Sequence, residues 1–355
     1  MAVYTNLSFE EMQQLLSKGY GYTVFQAKPI AAGIENSIYQ VECVEQKVVQ
    51  GAICEHGARH CYAFVIFEGL GRPLVEAYCE QLDHLSALLK SLPHLQVPSG
   101  VKRLLPSQEQ IYTVDVTAQT AAKHTSSKPG LLQPWIPGAH VVPTQALCFQ
   151  LGQFLGVLNS IQPEMTTSAR AILIPNHQHL RRIAAVKAQL NHYDSSMQRQ
   201  FAKYEQQLAG VTQAHKKLSQ GLVHGDLFVD NALSEMDHLT GIIDFFNASW
   251  SPKLLDLAIC LMDWCFDGEA FIVDRVQALI QGFRENCALV QPFDLGFWPD
   301  LVRLAGFRFW CTRQEYYIAC RQRQVTPVVN RDPAYCAAFI RQVSKQQQLL
   351  QSAWS

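Results

Sequence analysis

Apolar positions fall at helical spacing once near the start of the chain, then in short strand-like runs, and from residue 144 onward at helical spacing again. Phe9, Met12, Leu15 and Leu16 share a helical face, and Ser8 three residues before Glu11 predicts a capping-box start that Gly19-Tyr20-Gly21-Tyr22 ends. The runs 22–29, 38–44, 47–54 and 61–67, separated by turn residues, predict antiparallel strands. Leu74, Tyr78, Leu82, Leu85, Leu88 and Leu89 define one face of a helix over 74–92. Segments 101–105 and 110–116 suit a hairpin, 117–129 is small, polar and aperiodic and predicts an exposed loop, and 131–138 reads as a strand running into a Pro/Gly connector. Helical patterns cover 145–161, 178–218, 254–266, 273–286, 301–319 and a glutamine-rich tail from Pro333, with the block 222–250 interrupting them. A sheet-rich first third and a helical remainder predict an α+β fold of two lobes, 1–133 and 134–355.

Composition narrows the class. With 355 residues, 48% of them hydrophobic, the chain has material for two lobes and a sizeable core. A net charge of −1 and scattered Lys and Arg argue against nucleic acid or a membrane surface as partner. The first residues lack a basic stretch followed by an apolar one, and no run approaches the roughly 18 apolar residues of a membrane span. Eleven cysteines, an odd number with no C-x-x-C pair, predict reduced thiols in a cytoplasmic protein.

The chemistry concentrates in His224-Gly225-Asp226-Leu227-Phe228-Val229-Asp230-Asn231 and Gly241-Ile242-Ile243-Asp244-Phe245-Phe246. An acid follows a histidine by two residues, an amide follows the acid by five, and a second acid follows the amide by thirteen. This skeleton resembles the H-R-D-x-x-x-x-N and D-F-G motifs of protein kinases, in the H-G-D variant of small-molecule kinases of the aminoglycoside phosphotransferase and choline kinase type. Phosphoryl transfer needs a carboxylate to orient the acceptor hydroxyl and take its proton, a role that suits Asp226. It also needs oxygen ligands for Mg²⁺, which suits Asn231 and Asp244. His224, grouped with Asp226 as catalytic, is expected to brace the loop rather than act as base. Asp256, at the start of an apolar helix, reads either as a brace for the loop or as a helix-terminal acid.

Further blocks resemble the homoserine kinases of this superfamily: Met1-Ala2-Val3-Tyr4-Thr5, Gly33-Ile34-Glu35-Asn36-Ser37, Ile243 to Ala248, Asp256 to Cys265 with its Asp263-Trp264-Cys265, and Arg308-Phe309-Trp310. The resemblance implies transfer of the ATP γ-phosphate to the side-chain hydroxyl of L-homoserine, giving O-phospho-L-homoserine on the route to threonine. It implies nucleotide contacts at Gly33, Glu35, Asn36 and Ser37, whose alternative is an ordinary β-turn, and at Gln133 and Trp135 beside the base. A zwitterionic acceptor needs a cation and an anion, for which Arg308 and Arg313, and Asp230, Asn247 and Asp263, are candidates. One departure is that Val65 stands where kinases carry a phosphate-binding lysine; another is that 160–220 is only loosely similar. Rival readings are a choline, aminoglycoside or amino-sugar kinase, and a pseudokinase used as a binding module.

Overall fold

The computed structural model describes residues 5–30, 36–49, 52–89, 95–104, 110–119, 125–161, 178–287, 290–322, 324, 326 and 332–354. The chain forms two compact units, Met1–Lys90 with Gln96–Pro137, and Ser91–Leu95 with Gly138–Ser355.

In the first unit, α1 (Phe9–Tyr20) begins at Ser8, whose hydroxyl accepts the Glu11 N–H while the Glu11 carboxylate accepts the Ser8 N–H. Gly21 ends the helix in the left-handed region at φ 72°. There follow β1 (Tyr22–Ile30), β2 (Ser37–Val49), β3 (Ala52–Ile66), α2 (Arg72–Leu88), β4 (Arg103–Leu104), β5 (Gln110–Ile111), β6 (Thr113–Gln119) and β7 (Thr125–Pro134). Five strands make an antiparallel sheet in the order β1-β2-β3-β7-β6, and β4 pairs with β5. Strand alternation points Tyr39, Val41 and Cys43 of β2, Phe64 and Ile66 of β3 and Leu132 of β7 to one face, where they form a core with Met12 and Leu16 of α1.

Three expectations need correction here. The run 47–54 is not a strand of its own: Lys47 pairs with Cys54, Val48 with Ile53 and Val49 with Ala52, so it holds the end of β2 and the start of β3. Apolar residues on both arms hide the reversal from a pattern read along the chain. Nor are 117–119 and 125–129 an exposed loop, because Thr117, Ala118 and Gln119 pair with Ser127, Ser126 and Thr125 at the edge of the sheet; the rest of that expected loop, 120–124, lies outside the described residues. An edge ladder needs no apolar alternation, so small polar residues extend it without a periodic signal. Helix α2 stops at Leu88, and Leu74, expected on its apolar face, is 63% exposed in the first turn.

The second unit contains β8 (Ala139–His140), α3 (Gln145–Ser160), α4 (Gln178–Ala188), α5 (Ser195–Ala214), β9 (Gln220–Val223), β10 (Ala232–Glu235), β11 (His238–Ile242) and β12 (Ser249–Pro252). Then come α6 (Leu255–Trp264), α7 (Val273–Asn286), α8 (Pro292–Gly296), α9 (Trp298–Gln322), α10 (Pro333–Lys345) and α11 (Gln347–Ser352). Helices α3 and α7 approach closely enough that a Cβ on Gly152 would lie 2.1 Å from the Leu279 carbonyl oxygen, and one on Gly282 2.0 Å from that of Phe149. The fold is α+β, an antiparallel sheet in the first unit and a mainly helical second one. Ten of the cysteines, from Cys43 and Cys61 to Cys336, carry free thiols, and among the described residues no helix is long and apolar enough to cross a membrane.

Candidate active site

Strand β9 delivers His224 and β12 flanks it, with Val223 opposite Ser249 and Leu222 opposite Trp250. From Val223 the chain cannot continue as a strand, because Gly225 turns it at φ 80°. A Cβ there would sit 2.5 Å from the Asn247 carbonyl oxygen, so both the backbone conformation and the space demand glycine. Asn247, half-buried, closes the loop from that side.

His224 is fully buried. Its Nε2 lies 2.9 Å from the Ile243 carbonyl and its Nδ1 3.3 Å from the Asp226 N–H. Those partners assign the tautomer: Nε2–H donates and Nδ1 accepts. Burial pushes its pKa down from 6.5 to about 4, with Arg308 adding to the effect against the Ile243 hydrogen bond. A neutral ring engaged at both nitrogens braces the loop and leaves Asp226 as the group with a carboxylate to offer.

Beyond Asp226 a single 3₁₀ turn, Val229–Asn231, returns the chain to β10. The half-buried Asn231 donates from Nδ2 to the Asp226 carbonyl at 2.8 Å, which turns its Oδ1 the other way, and its own carbonyl accepts the Ile243 N–H at 2.9 Å. Strand β11, paired with β10 from Ala232–Ile242 to Glu235–His238, thereby brings Asp244 beside the loop of Asn231. Asp244 is exposed and left-handed at φ 64°, a conformation that Asp and Asn tolerate better than other side chains. Two oxygen donors suit a hard cation that completes its shell with phosphate and water; among the described residues no group of three or more His, Cys, Asp or Glu forms a cage.

The loop rests on one face of α6. Asp256, fully buried, accepts the His224 N–H at 2.5 Å and the Gly225 N–H at 2.8 Å, and burial raises its carboxyl to about 6. Asp263 accepts the Val229 N–H at 2.7 Å; burial, then the like charge of Asp230, raises it to about 6, and Arg313 opposes the shift. Trp264 donates from Nε1 to the Leu227 carbonyl at 3.2 Å. Of the two readings left open for Asp256, the brace is the one observed. The role of Trp264 had no signal in the motif itself; only its helical offset from Asp256 put it on the same face.

The other expected residues separate. Arg308 is buried at 5% exposure and donates from Nη1 to the Gly225 carbonyl. Arg313, five residues on, is half-buried, lies 5.4 Å over the Tyr335 ring and donates to the Asp332 carbonyl at 3.3 Å. Asp230 is exposed on the 3₁₀ turn. In the first unit, Gln133 is buried on β7 opposite Ala63, and the half-buried Trp135 donates its N–H to the Cys61 carbonyl at 3.0 Å. Ser37 is buried, accepting the Thr5 N–H at 2.9 Å and donating to Glu68 at 2.5 Å, and Asn36 accepts the Glu68 N–H at 3.4 Å. Gly33 and Glu35 lie outside the described residues. Val65 is buried opposite Ile38 and Leu131. Lys128, which no motif flagged, pairs with Glu68 and donates to the Thr5 hydroxyl at 2.8 Å.

Comparison with known proteins places this geometry. The model of the phosphotransferase enzyme family matches residues 26–288. The homoserine kinase of Methylobacillus glycogenes is 27% identical over 360 residues, covering 100% of this chain and 99% of that one. Among solved structures, an amicoumacin kinase in complex with AMP-PNP and Ca²⁺ superposes with a TM-score of 0.63 at 15% identity, covering 96% of this chain and 94% of the other. A microcompartment-associated aminopropanol kinase gives 0.55 at 15% identity, covering 98% and 99%. The chain belongs to the phosphotransferase enzyme family and is an ATP-dependent small-molecule kinase acting on a hydroxyl group.

Proposed function

We propose that the protein is a homoserine kinase, moving the γ-phosphate of ATP to the side-chain hydroxyl of L-homoserine to give O-phospho-L-homoserine. The observation that carries this reading is the full-length likeness to homoserine kinases together with the charge pattern around the loop of Asp226, where Asp230 and Arg313 act in opposite directions on the Asp263 carboxyl. Both signs of charge beside the acceptor position suit a zwitterion; an aminoglycoside pocket would want acids alone, and a choline pocket an aromatic cage.

In the proposed reaction Asp226 accepts a hydrogen bond from the acceptor hydroxyl, aims its oxygen at the γ-phosphorus and takes the proton as the new P–O bond forms, while the bond from the γ-phosphorus to the β,γ-bridging oxygen breaks and ADP leaves. Asn231, through Oδ1, and Asp244 hold Mg²⁺, which supplies charge neutralisation to the phosphates when bound. His224 stays neutral and keeps the Asp226 main chain in place. Asn247 lines the loop, and Arg313 faces the substrate carboxylate while Asp230 and Asp263 face the ammonium. Gly33, Glu35 and Asn36 are assigned to the phosphates, Ser37 by its main chain alone because its buried hydroxyl is engaged with Thr5 and Glu68, and Gln133 and Trp135 border the base. The reaction takes place in the cytoplasm.

An ATP-consumption assay with Mg²⁺ across homoserine, serine, threonine, choline, 1-amino-2-propanol and an aminoglycoside tests the assignment. Preferential turnover of homoserine is expected; turnover restricted to acceptors lacking a carboxylate would overturn it.

A further inference from the structure

We infer that Arg308 is a positioning residue for the catalytic loop, holding the peptide bond that enters Asp226. The inference rests on Asp226 being the base, as proposed above, and gives Arg308 a task other than the substrate contact the sequence suggests.

A guanidinium buried to 5% exposure is costly unless its donors and charge are met. Arg308 spends Nη1 on the Gly225 carbonyl. The same planar peptide presents the Asp226 N–H to His224 Nδ1 at 3.3 Å, so both polar ends of one peptide unit are held, one by Arg308 and one by His224. One bond earlier, the Gly225 N–H is held by Asp256 at 2.8 Å. Gly225 is thereby gripped between a carboxylate on its N–H and a guanidinium on its carbonyl, which fixes the direction in which the Asp226 side chain leaves the main chain.

A second contact works from the far side of Asp226. The Arg308 guanidinium lies 4.3 Å over the Phe309 ring, and Phe309 meets Phe228 edge-on at 4.5 Å with an interplanar angle of 89°. Phe228 follows Asp226 by two residues and donates its N–H to the Asp226 carbonyl at 2.9 Å. One helical position on α9 is thus tied to the chain on both sides of the base. Lysine could supply the charge but not the planar fork that reaches the carbonyl while lying on a ring.

The test separates positioning from substrate binding by comparing homoserine with homoserinol, which keeps the hydroxyl and ammonium but has no carboxylate. For Arg308→Lys and Arg308→Ala we expect kcat to fall on the order of 100-fold with either acceptor, as misplacement of a reacting group does. The acceptor KM should stay within about twofold of wild type. Added guanidinium should restore part of the kcat of Arg308→Ala, whose cavity can take it, and none of that of Arg308→Leu, which fills the space. A steep rise in KM for homoserine alone, with kcat kept, would make Arg308 a carboxylate ligand and overturn the inference; so would equal insensitivity of kcat in the Lys and Ala variants. If the wild-type enzyme turns over a different acceptor, the homoserine assignment fails while the kcat-against-KM comparison is read on that acceptor. Thermal melts alongside separate loss of positioning from loss of folding.

Discussion

Asp263 accepts the Val229 N–H at 2.7 Å, seven residues along α6 from Asp256, whose carboxylate holds the N–H groups of His224 and Gly225. Two turns of helix separate the two acids, so both face the same way, and the loop with Asp226 lies between their attachment points. A rigid element therefore anchors the loop from outside, in addition to the loop's own hydrogen bonds.

Trp264 adds a third attachment, its Nε1 donating to the buried Leu227 carbonyl at 3.2 Å. Trp264→Phe keeps most of the apolar volume and removes the donor. Stability should fall by about 1 kcal/mol, the net worth of such a bond. Denaturant melts read the first effect; kcat should drop at unchanged acceptor KM, because the segment adjoining Asp226 loosens.

Asp226→Asn tests the base directly. The side chain keeps its size and can still accept a hydrogen bond, but it cannot take the acceptor's proton. Turnover should fall on the order of 10² to 10⁴-fold, the range for general-base removal, with thermal stability near wild type. Full activity in this variant would remove Asp226 from the mechanism.

The loop and its two carboxylates were legible in the sequence because the interactions that shape them are local: Gly225 at a positive φ, Asn231 reaching back five residues, β10 and β11 joined by a polar turn. What supports the loop was legible only in part: the brace was one of two readings open for Asp256, whereas Trp264 and Arg308 come from 37 and 83 positions away and their partners are main-chain atoms, which carry no residue identity. The same reason hid Lys128, whose partner Glu68 is brought near only by the pairing of β3 with β7. Ser37 reads as a phosphate-loop hydroxyl by position, yet strand alternation turns it to the face of Tyr39 and Val41, toward Glu68 and Thr5. Helix α1 was legible apart from Phe9, which is 46% exposed, because its capping box and the rest of its apolar stripe lie close together in the chain.

Asp244→Asn isolates charge at the proposed metal site. Asparagine tolerates the left-handed backbone at φ 64°, so the change adds little strain, whereas alanine there would confound the two effects. The Mg²⁺ concentration for half-maximal activity should rise on the order of tenfold or more, as loss of a coordinating or orienting group typically does. A titration of rate against Mg²⁺ at saturating ATP and acceptor measures it, and an unchanged midpoint would exclude Asp244 as a ligand.

The buried acid and the buried imidazole pull the pH dependence of stability in opposite directions. Asp256 is raised from 3.8 to about 6 by burial, so between those values the folded chain holds a proton that the unfolded chain has lost. Its contribution therefore makes stability fall as pH rises through that window, by ~3 kcal/mol in all at 1.36 kcal/mol per pH unit. His224 is lowered from 6.5 to about 4, so there the unfolded chain binds the extra proton and stability rises with pH. In the wild type these two slopes largely cancel between about pH 4 and 6, and the falling slope of Asp263, likewise raised by burial to about 6, remains. Asp256→Asn removes one falling component, so that the rise from His224 and the fall from Asp263 are left to offset each other between about pH 4 and 6. The variant should be less stable than wild type at low pH, because one of two loop N–H groups then faces an amide NH₂, and its stability should stay nearly level up to about pH 6 where that of the wild type falls. Denaturant midpoints at half-unit steps from pH 4.5 to 6.5 give the difference directly; parallel curves would show that Asp256 does not change its protonation on folding.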